Sequence, residues 1–341
     1  MRRATIADIA RAVGVSKGAV SYALNGRPGV SEATRRRVLE VAAEFGWHPS
    51  SAARALSDGK AGVLGLIIDR PARTLGIEAF FMQLISGIEA ALSDRSIGLL
   101  LQVTDDRVSE LAAYHRWWAQ RSVDGVIVVD LVLDEPRVAL RDELQMPAVV
   151  VGGPDGLGGL PGVWSDDRAA MTEVVGYLAA LGHRRFGRVA GPASLWHTRA
   201  RTEALRAATE RLGLPEPTTV DTDYGIDAGA AATRTLLGRR PRPTVIIYDN
   251  DVMAVAGLAV AQEMNRAVPG ELSIVAWDDS PLCQLVHPPL TAVSRDIPAY
   301  GAHAARHLLA LIAGEPADDF QDETPKLVPR GSTGAPPRRE P

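Results

Sequence analysis

Lys17, Gly18, Ser21 and Tyr22 recur at helical spacing within KGAVSYAL, which puts them on one outward face of a short helix. That set suits nucleic acid. A lysine at a helix N-terminus donates to a guanine edge or a phosphate, Ser16 and Ser21 suit phosphate oxygens, and Tyr22 offers a hydroxyl with an apolar ring. Arg35, Arg36 and Arg37 add charge for the backbone. A second constellation lies far downstream. Arg201, near the start of a helix, suits a carboxylate or a pair of hydroxyls. Asp278, just after LSIVAW, can accept from sugar hydroxyls, and Asn250, after PTVIIYDN, can donate and accept. Tyr224, after TTVDTD, can stack on a ring face. No phosphate loop, H-E-x-x-H helix or G-x-S-x-G elbow is present, so no catalytic residue, metal or cofactor is expected. Cys283 is the single cysteine; it has no adjacent base and reads as a structural thiol.

The first set needs a helical scaffold, and residues 5–45 supply one. Thr5 is an N-cap with Asp8 three residues on, and Ile6, Ile9, Ala10 and Val13 keep helical spacing. Gly14 turns the chain, Ser16 caps a second helix through Val20 and Leu24, and Asn25-Gly26 ends it. Ser31 caps a third, with Val38, Val41, Ala42 and Phe45 expected inward. Two helices about three residues apart around a glycine form a helix-turn-helix whose second helix enters the major groove; a three-helix unit with no DNA role shares the pattern. Charge follows the same division. The chain has 341 residues and a formal net charge of −4. Residues 1–60 hold ten basic and five acidic side chains, leaving 27 basic and 36 acidic beyond, so +5 sits beside −9. A polyanion is a natural partner for the basic end, and a plain solvated face is the alternative. The following PSSAARALSDGK is too short to be a stable helix alone. Its Leu56 is either a loop leucine packed on the next domain or a wedge for the minor groove.

The stretch TIADIARAVGVSKGAVSYALNGRPGVSEATRRRVLEVAAEFGWHPSSAARAL resembles the headpiece and hinge of the lactose-repressor (LacI/GalR) family of bacterial transcription regulators. The resemblance implies that Leu56 is the minor-groove lever with Ala53 beside it. It places Lys17, Gly18 and Tyr22 at base-reading positions, with Thr5, Ser16, Ser21 and Asn25 completing the DNA-facing set. Three positions depart from the family pattern: Ala19 replaces a usual threonine, Tyr22 a frequent arginine, and Ser50 a frequent asparagine. The first removes a phosphate contact, and the second leaves the operator sequence open.

From Gly62 the chain alternates apolar runs (63–68, 97–103, 124–130, 147–153) with helical segments, and the rhythm restarts after a Gly/Pro-rich stretch at 152–162 (strands at 184–191, 218–224, 243–250, 272–277). Such alternation predicts two α/β lobes with parallel sheets, helices on both faces, and a cleft at the carboxyl ends of the strands. By resemblance this is the periplasmic-binding-protein-like core, and HTRARTEAL, AWDDSP, YDNDVMA and DTDYG carry the family's effector-binding arginine, aspartate, asparagine and aromatic. His197 and Trp196 are expected on the loop beside Arg201, and Phe80 and Phe81 fall where first-lobe aromatics meet the ligand. Core packing is the alternative for Phe80, Phe81 and Trp196, a surface role for His197, and packing is the reading for Trp164 and Trp277.

The expected division is a headpiece over 1–48, a hinge over 49–60, a first subdomain from 61–161 and 291–320, a second from 162–290 and 321–336, and a disordered tail over 337–341. LVPRGS at 327–332 resembles an engineered cleavage linker, but KLVPRGSTG also matches the family's last strand and is read as native. With MRRATIADIARAV unlike a signal peptide and no run near the ~20 apolar residues of a membrane span, a cytoplasmic, nucleoid-associated protein is expected. The reading is a dimeric, or higher, regulator, most simply a repressor, that binds double-stranded DNA at a pseudo-palindromic operator. A small effector, a carbohydrate for preference, controls it from the cleft by ordering or melting the hinge. A free-standing sugar- or nucleoside-binding protein, or an enzyme on the same two-lobed core, is the alternative.

Overall fold

The computed structural model describes residues 4–47 and 60–337, in two compact units divided after Ala61. Leu56, Ala53, Ser50, nearly all of the hinge and the tail beyond Pro337 lie outside the described residues.

In the first unit α1 (Ile6–Val13), α2 (Lys17–Leu24) and α3 (Glu32–Glu44) enclose a core of Ile9, Ala10, Val20, Ala23, Val38, Val41 and Ala42. The caps are local. The Asp8 carboxylate accepts from the N–H and hydroxyl of Thr5, and Ser16 and Ser31 accept from Ala19 N–H and Thr34 N–H. Gly14 takes φ 75°, where a side chain would be strained, and ends α1. Phe45 is not inward: it is 44% exposed. It caps the end of α3, one step off the buried stripe, and Trp47 packs on the core in its place, its N–H donating to Ala42 O.

The second unit holds two six-stranded sheets. The first is built from β1 (Val63–Asp69), β2 (Gly98–Thr104), β3 (Gly125–Val128), β4 (Ala148–Gly152), β5 (Gly162–Trp164) and β11 (Phe320–Gln321), in the order β2-β1-β3-β4-β5-β11. The second repeats that winding with β6 (Phe186–Ala190), β7 (Thr218–Asp221), β8 (Val245–Tyr248), β9 (Ser273–Trp277), β10 (Thr291–Ser294) and β12 (Lys326–Val328), in the order β7-β6-β8-β9-β10-β12. The described pairings are parallel except β10 with β12. Crossovers in the first lobe run through α4 (Ala72–Leu75), α5 (Ala79–Leu92), α6 (Arg107–Ala119) and α7 (Pro136–Leu144). Those in the second run through α8 (Asp167–Ala180), α9 (Trp196–Arg211), α10 (Ile226–Gly238), α11 (Asp251–Glu263) and α12 (Pro281–Leu285). The last long helix, α13 (Ile297–Ile312), returns to the first lobe, where Ile297, Tyr300, Ala304, Ala305 and Leu308 join the core of Leu84 and Ile88. Gly87 and Gly301 face the partner helix's backbone, and a Cβ on either would overlap a carbonyl of the other helix. Close helix approach therefore requires glycine at both positions.

The lobe crossings differ from the expected ones. β5 pairs with β4, and β10 with β9, so the chain changes lobes after Trp164 and after Ser294 rather than near 161 and 290. The third crossing follows Gln321. Periodicity shows that a strand exists; long-range pairing decides which sheet accepts it. KLVPRGSTG is built into the second lobe. Lys326–Val328 pair with β10, and Ser332 Oγ donates to Ile274 O while accepting from Thr291 N–H.

Candidate functional site

On α2, Lys17, Gly18, Tyr22 and Asn25 are exposed and Ser21 half-buried, while Val20 and Ala23 anchor the opposite face. Ser16, beside them, is committed to its cap. Thr5 sits at the start of α1 with its side chain bonded to Asp8. Arg35 is not a free backbone contact: its guanidinium donates to Ala23 O and Arg27 O and holds the α2–α3 turn. Arg36 stays exposed, and Arg37 pairs with Glu40 at 3.3 Å.

The lobes enclose a cavity of about 240 Å3 whose walls are the carboxyl ends of strands from both sheets. Of the expected effector residues, Arg201, Tyr224, Asp278, His197, Trp196, Phe80 and Phe81 all line it. Asn250 does not. Its Oδ1 caps α11 through Met253 N–H and its Nδ2 donates to Tyr224 O, so both ends of the amide serve the fold. Trp196 and His197 form the first turn of α9 rather than a loop, because Leu195 is the extended residue and its carbonyl accepts from Arg199 N–H.

Three arginines organise the walls, and each faces a carboxylate. Arg70 lies 2.8 Å from Asp130 and 3.8 Å from Glu78; Arg201 reaches Asp167 at 2.7 Å; Arg295 reaches Asp278 at 3.1 Å. Their planar faces stack on aromatics: Arg201 over Trp277 at 4.2 Å, Arg70 over Tyr224 at 4.9 Å, Arg295 over Phe80 at 5.3 Å. The Arg70–Tyr224 contact bridges the lobes, so that face of Tyr224 is already covered. Below them Arg188 and Asp249, both fully buried at the side chain, form a bidentate pair, and the Asp249 carboxylate also accepts from Gly191 N–H.

Asp130, Tyr224 and Asp278 adopt φ values of 53°, 68° and 64°. These left-handed backbones are costly for residues with side chains, and they cluster where function needs groups aimed. Nine buried side-chain nitrogen or oxygen atoms lack a hydrogen-bond partner among the described residues, and six belong to residues lining the cavity. Arg70, Arg295 and Trp196 each leave an N–H, and Glu78 and Asp167 each a carboxylate oxygen, while the sixth atom, Asp130 Oδ2, is the oxygen that Arg70 approaches at 2.8 Å. Buried polar groups are normally satisfied, so this concentration marks a wall with spare capacity for both donors and acceptors.

Burial lowers the His197 imidazole well below its ordinary range, aided by Arg201, Arg70 and Arg295, so it is neutral and shares a 2.6 Å bond with the Tyr224 hydroxyl. Burial raises Glu78 to about 7 against the pull of Arg70, with Asp130, Asp278 and Asp251 reinforcing the rise. A carboxyl raised on folding contributes stability below its unfolded value of 4.5 and loses it as pH climbs to about 7. Thermal unfolding of Glu78→Gln should lack this loss, so the variant should gain on the parent between pH 5 and pH 8. A constant offset between the two curves would refute the assignment.

Sequence reading missed Arg70, Glu78, Asp130, Asp167, Asp249 and Arg295. Strand-end logic was available for Arg70 and Asp130, which follow β1 and β3. Arg295 required knowing that β10 belongs to the second sheet. Trp164 lines the cavity, whereas Trp277 is fully buried beneath Arg201.

Residues 5–50 match the model of bacterial regulatory proteins of the lacI family, and residues 175–333 that of the periplasmic binding protein-like domain. The HTH-type transcriptional regulator MalR of Streptomyces coelicolor is 32% identical over 351 residues, covering 97% of each chain. The chain belongs to the LacI family. This LacI-family protein is also 31% identical to the regulator CelR of Thermobifida fusca, over 92% of its own length and 93% of CelR. A solved LacI-family regulator from Bifidobacterium animalis shares 37% identity at a TM-score of 0.75, covering 82% of this chain and all of that one. The structure of a CelR–cellobiose complex matches at 28% identity and a TM-score of 0.73, covering 97% of this chain and all of CelR's. Among the described residues no helix is long and apolar enough to cross a membrane.

Proposed function

We propose that this LacI-family protein is a homodimeric repressor, working on the chromosome in the cytoplasm, whose effector is a neutral carbohydrate held between the lobes. The observation that carries the effector class is the pairing of Arg70, Arg201 and Arg295 with carboxylates inside an aromatic-lined cavity. A charged ligand would have to break one of these pairs. Hydroxyls, which donate and accept, suit the mixed spare capacity of the wall. The relative solved as a complex with cellobiose supports the same class. Exposed apolar side chains on edge strand β2 (Leu101 and Val103) and on α12 (Leu285, 76% exposed) suit coverage by a second copy.

A gel-shift assay on DNA upstream of its own gene, with and without glucose, maltose or cellobiose, tests the reading. Retardation released or strengthened by one sugar is the expected result; no retardation at low salt overturns it. In the same assay Lys17→Ala should weaken binding by about tenfold and reduce the salt-dependence slope by about one. An unchanged slope would remove Lys17 from the interface.

A further inference from the structure

A second cavity, of about 280 Å3, opens where β6, β7 and β8 begin: Phe186 starts β6, Thr218 starts β7, and Pro243 precedes β8. It lies at the opposite end of the sheet from the interlobe cleft, about 17 Å away along the five residues of β6. Arg185, Arg239 and Arg240 line it, with Pro215, Pro241 and Pro243 as stiff walls. Arg185 is held by its Nε, which donates 2.8 Å to Arg242 O, and among the described residues its two terminal amino groups have no hydrogen-bond partner.

The contrast with the cleft is chemical. There each arginine meets a carboxylate. Here Glu216 is the one acidic lining residue; it is largely exposed and lies 3.7 Å from Arg206. Among the described residues, the lining arginines Arg185, Arg239 and Arg240 pair with no carboxylate. Three guanidinium groups around one concavity, in a segment whose net charge is −9, form a local inversion of sign. Guanidinium forks match phosphoryl oxygens two bonds at a time, and a concavity of this volume, half open to solvent, has room for a compact ligand rather than a long duplex.

We propose that this cavity is a second ligand site, separate from the effector cleft, that takes a small molecule bearing a phosphoryl group. Calorimetry on the full-length protein at low salt, with inorganic orthophosphate and pyrophosphate as probes, tests it. Pyrophosphate, which offers more oxygens, should bind more tightly than orthophosphate. Arg239→Ser with Arg240→Ser, both exposed positions, should weaken pyrophosphate by about tenfold per arginine removed. Lys17→Ala should leave it unchanged, which separates this site from the basic headpiece. No pyrophosphate binding, or equal binding by the double variant, would overturn the proposal. So would a double variant that loses only nonspecific DNA affinity, because the cluster would then be a nucleic-acid contact.

Discussion

Replacing Arg188 by methionine is expected to destabilise the two-lobed unit by about 3–5 kcal/mol, since it leaves the Asp249 carboxylate buried without its counter-charge. Both side chains are fully buried, joined by two hydrogen bonds of 2.9 and 2.7 Å. Asp249 keeps one bond, from Gly191 N–H, which does not replace a guanidinium. On a unit of this size the change should lower the melting temperature by roughly 10 °C. Combining it with Asp249→Leu should recover part of the loss, because no buried charge remains; the orphaned Gly191 N–H prevents full recovery. A double variant at least as unstable as the sum of the singles would show that the charge pair is not the source. The position matters for function because the Asp249 carbonyl accepts from Arg201 at 3.5 Å and Asp249 lines the cleft.

Arg201→Met is expected to abolish the carbohydrate response while DNA binding persists. Arg201 reaches into the cavity wall from α9, and burial opposed by Asp167, then Asp249, Tyr224 and Asp278, leaves its guanidinium more basic than usual. Without it the stack on Trp277 is lost, and Asp167 has only Arg295, 3.8 Å away. Losing one charge-assisted hydrogen bond, together with the guanidinium that orients Asp167, costs about 2–3 kcal/mol of ligand binding, a loss of roughly a hundredfold. Calorimetry with the sugar found active in the gel shift measures it, at a temperature where circular dichroism shows the variant folded. Arg201→Lys should rescue stability more than binding, because it returns the charge without the planar fork. A methionine variant with parental sugar affinity would remove Arg201 from the site.

Much of this protein is legible without coordinates. Thr5, Gly14, Ser16 and Ser31 mark helix boundaries through bonds made within a few residues, so their meaning is local. The apolar runs of the central strands β1, β3, β4, β6, β8 and β9 are equally plain, because strands buried on both faces have no polar side to interrupt them. Tyr224 and Asp278 line the cavity as strand-end logic expects, and Arg201 reaches it from the helix that follows β6. Asn250 satisfied the same rule and does not line the cavity: an asparagine after a strand and before a helix is also the best N-cap, and that local use won. Phe45 erred by one residue, where the period ran past the end of its helix.

The sequence by itself determined the two units, their opposite charge and the alternation of strand and helix in the larger one, since these follow from composition, caps and periodicity along neighbouring residues. Only the tertiary structure decided where the chain changes lobes, which arginine meets which carboxylate, and that Arg70 of one lobe covers Tyr224 of the other. Those are matters of pairing between residues tens to hundreds of positions apart. A guanidinium in a sequence looks the same whether a buried aspartate will neutralise it, as at Arg201, or none will, as at Arg240. That difference separates the cavity suited to a neutral ligand from the one suited to an anion.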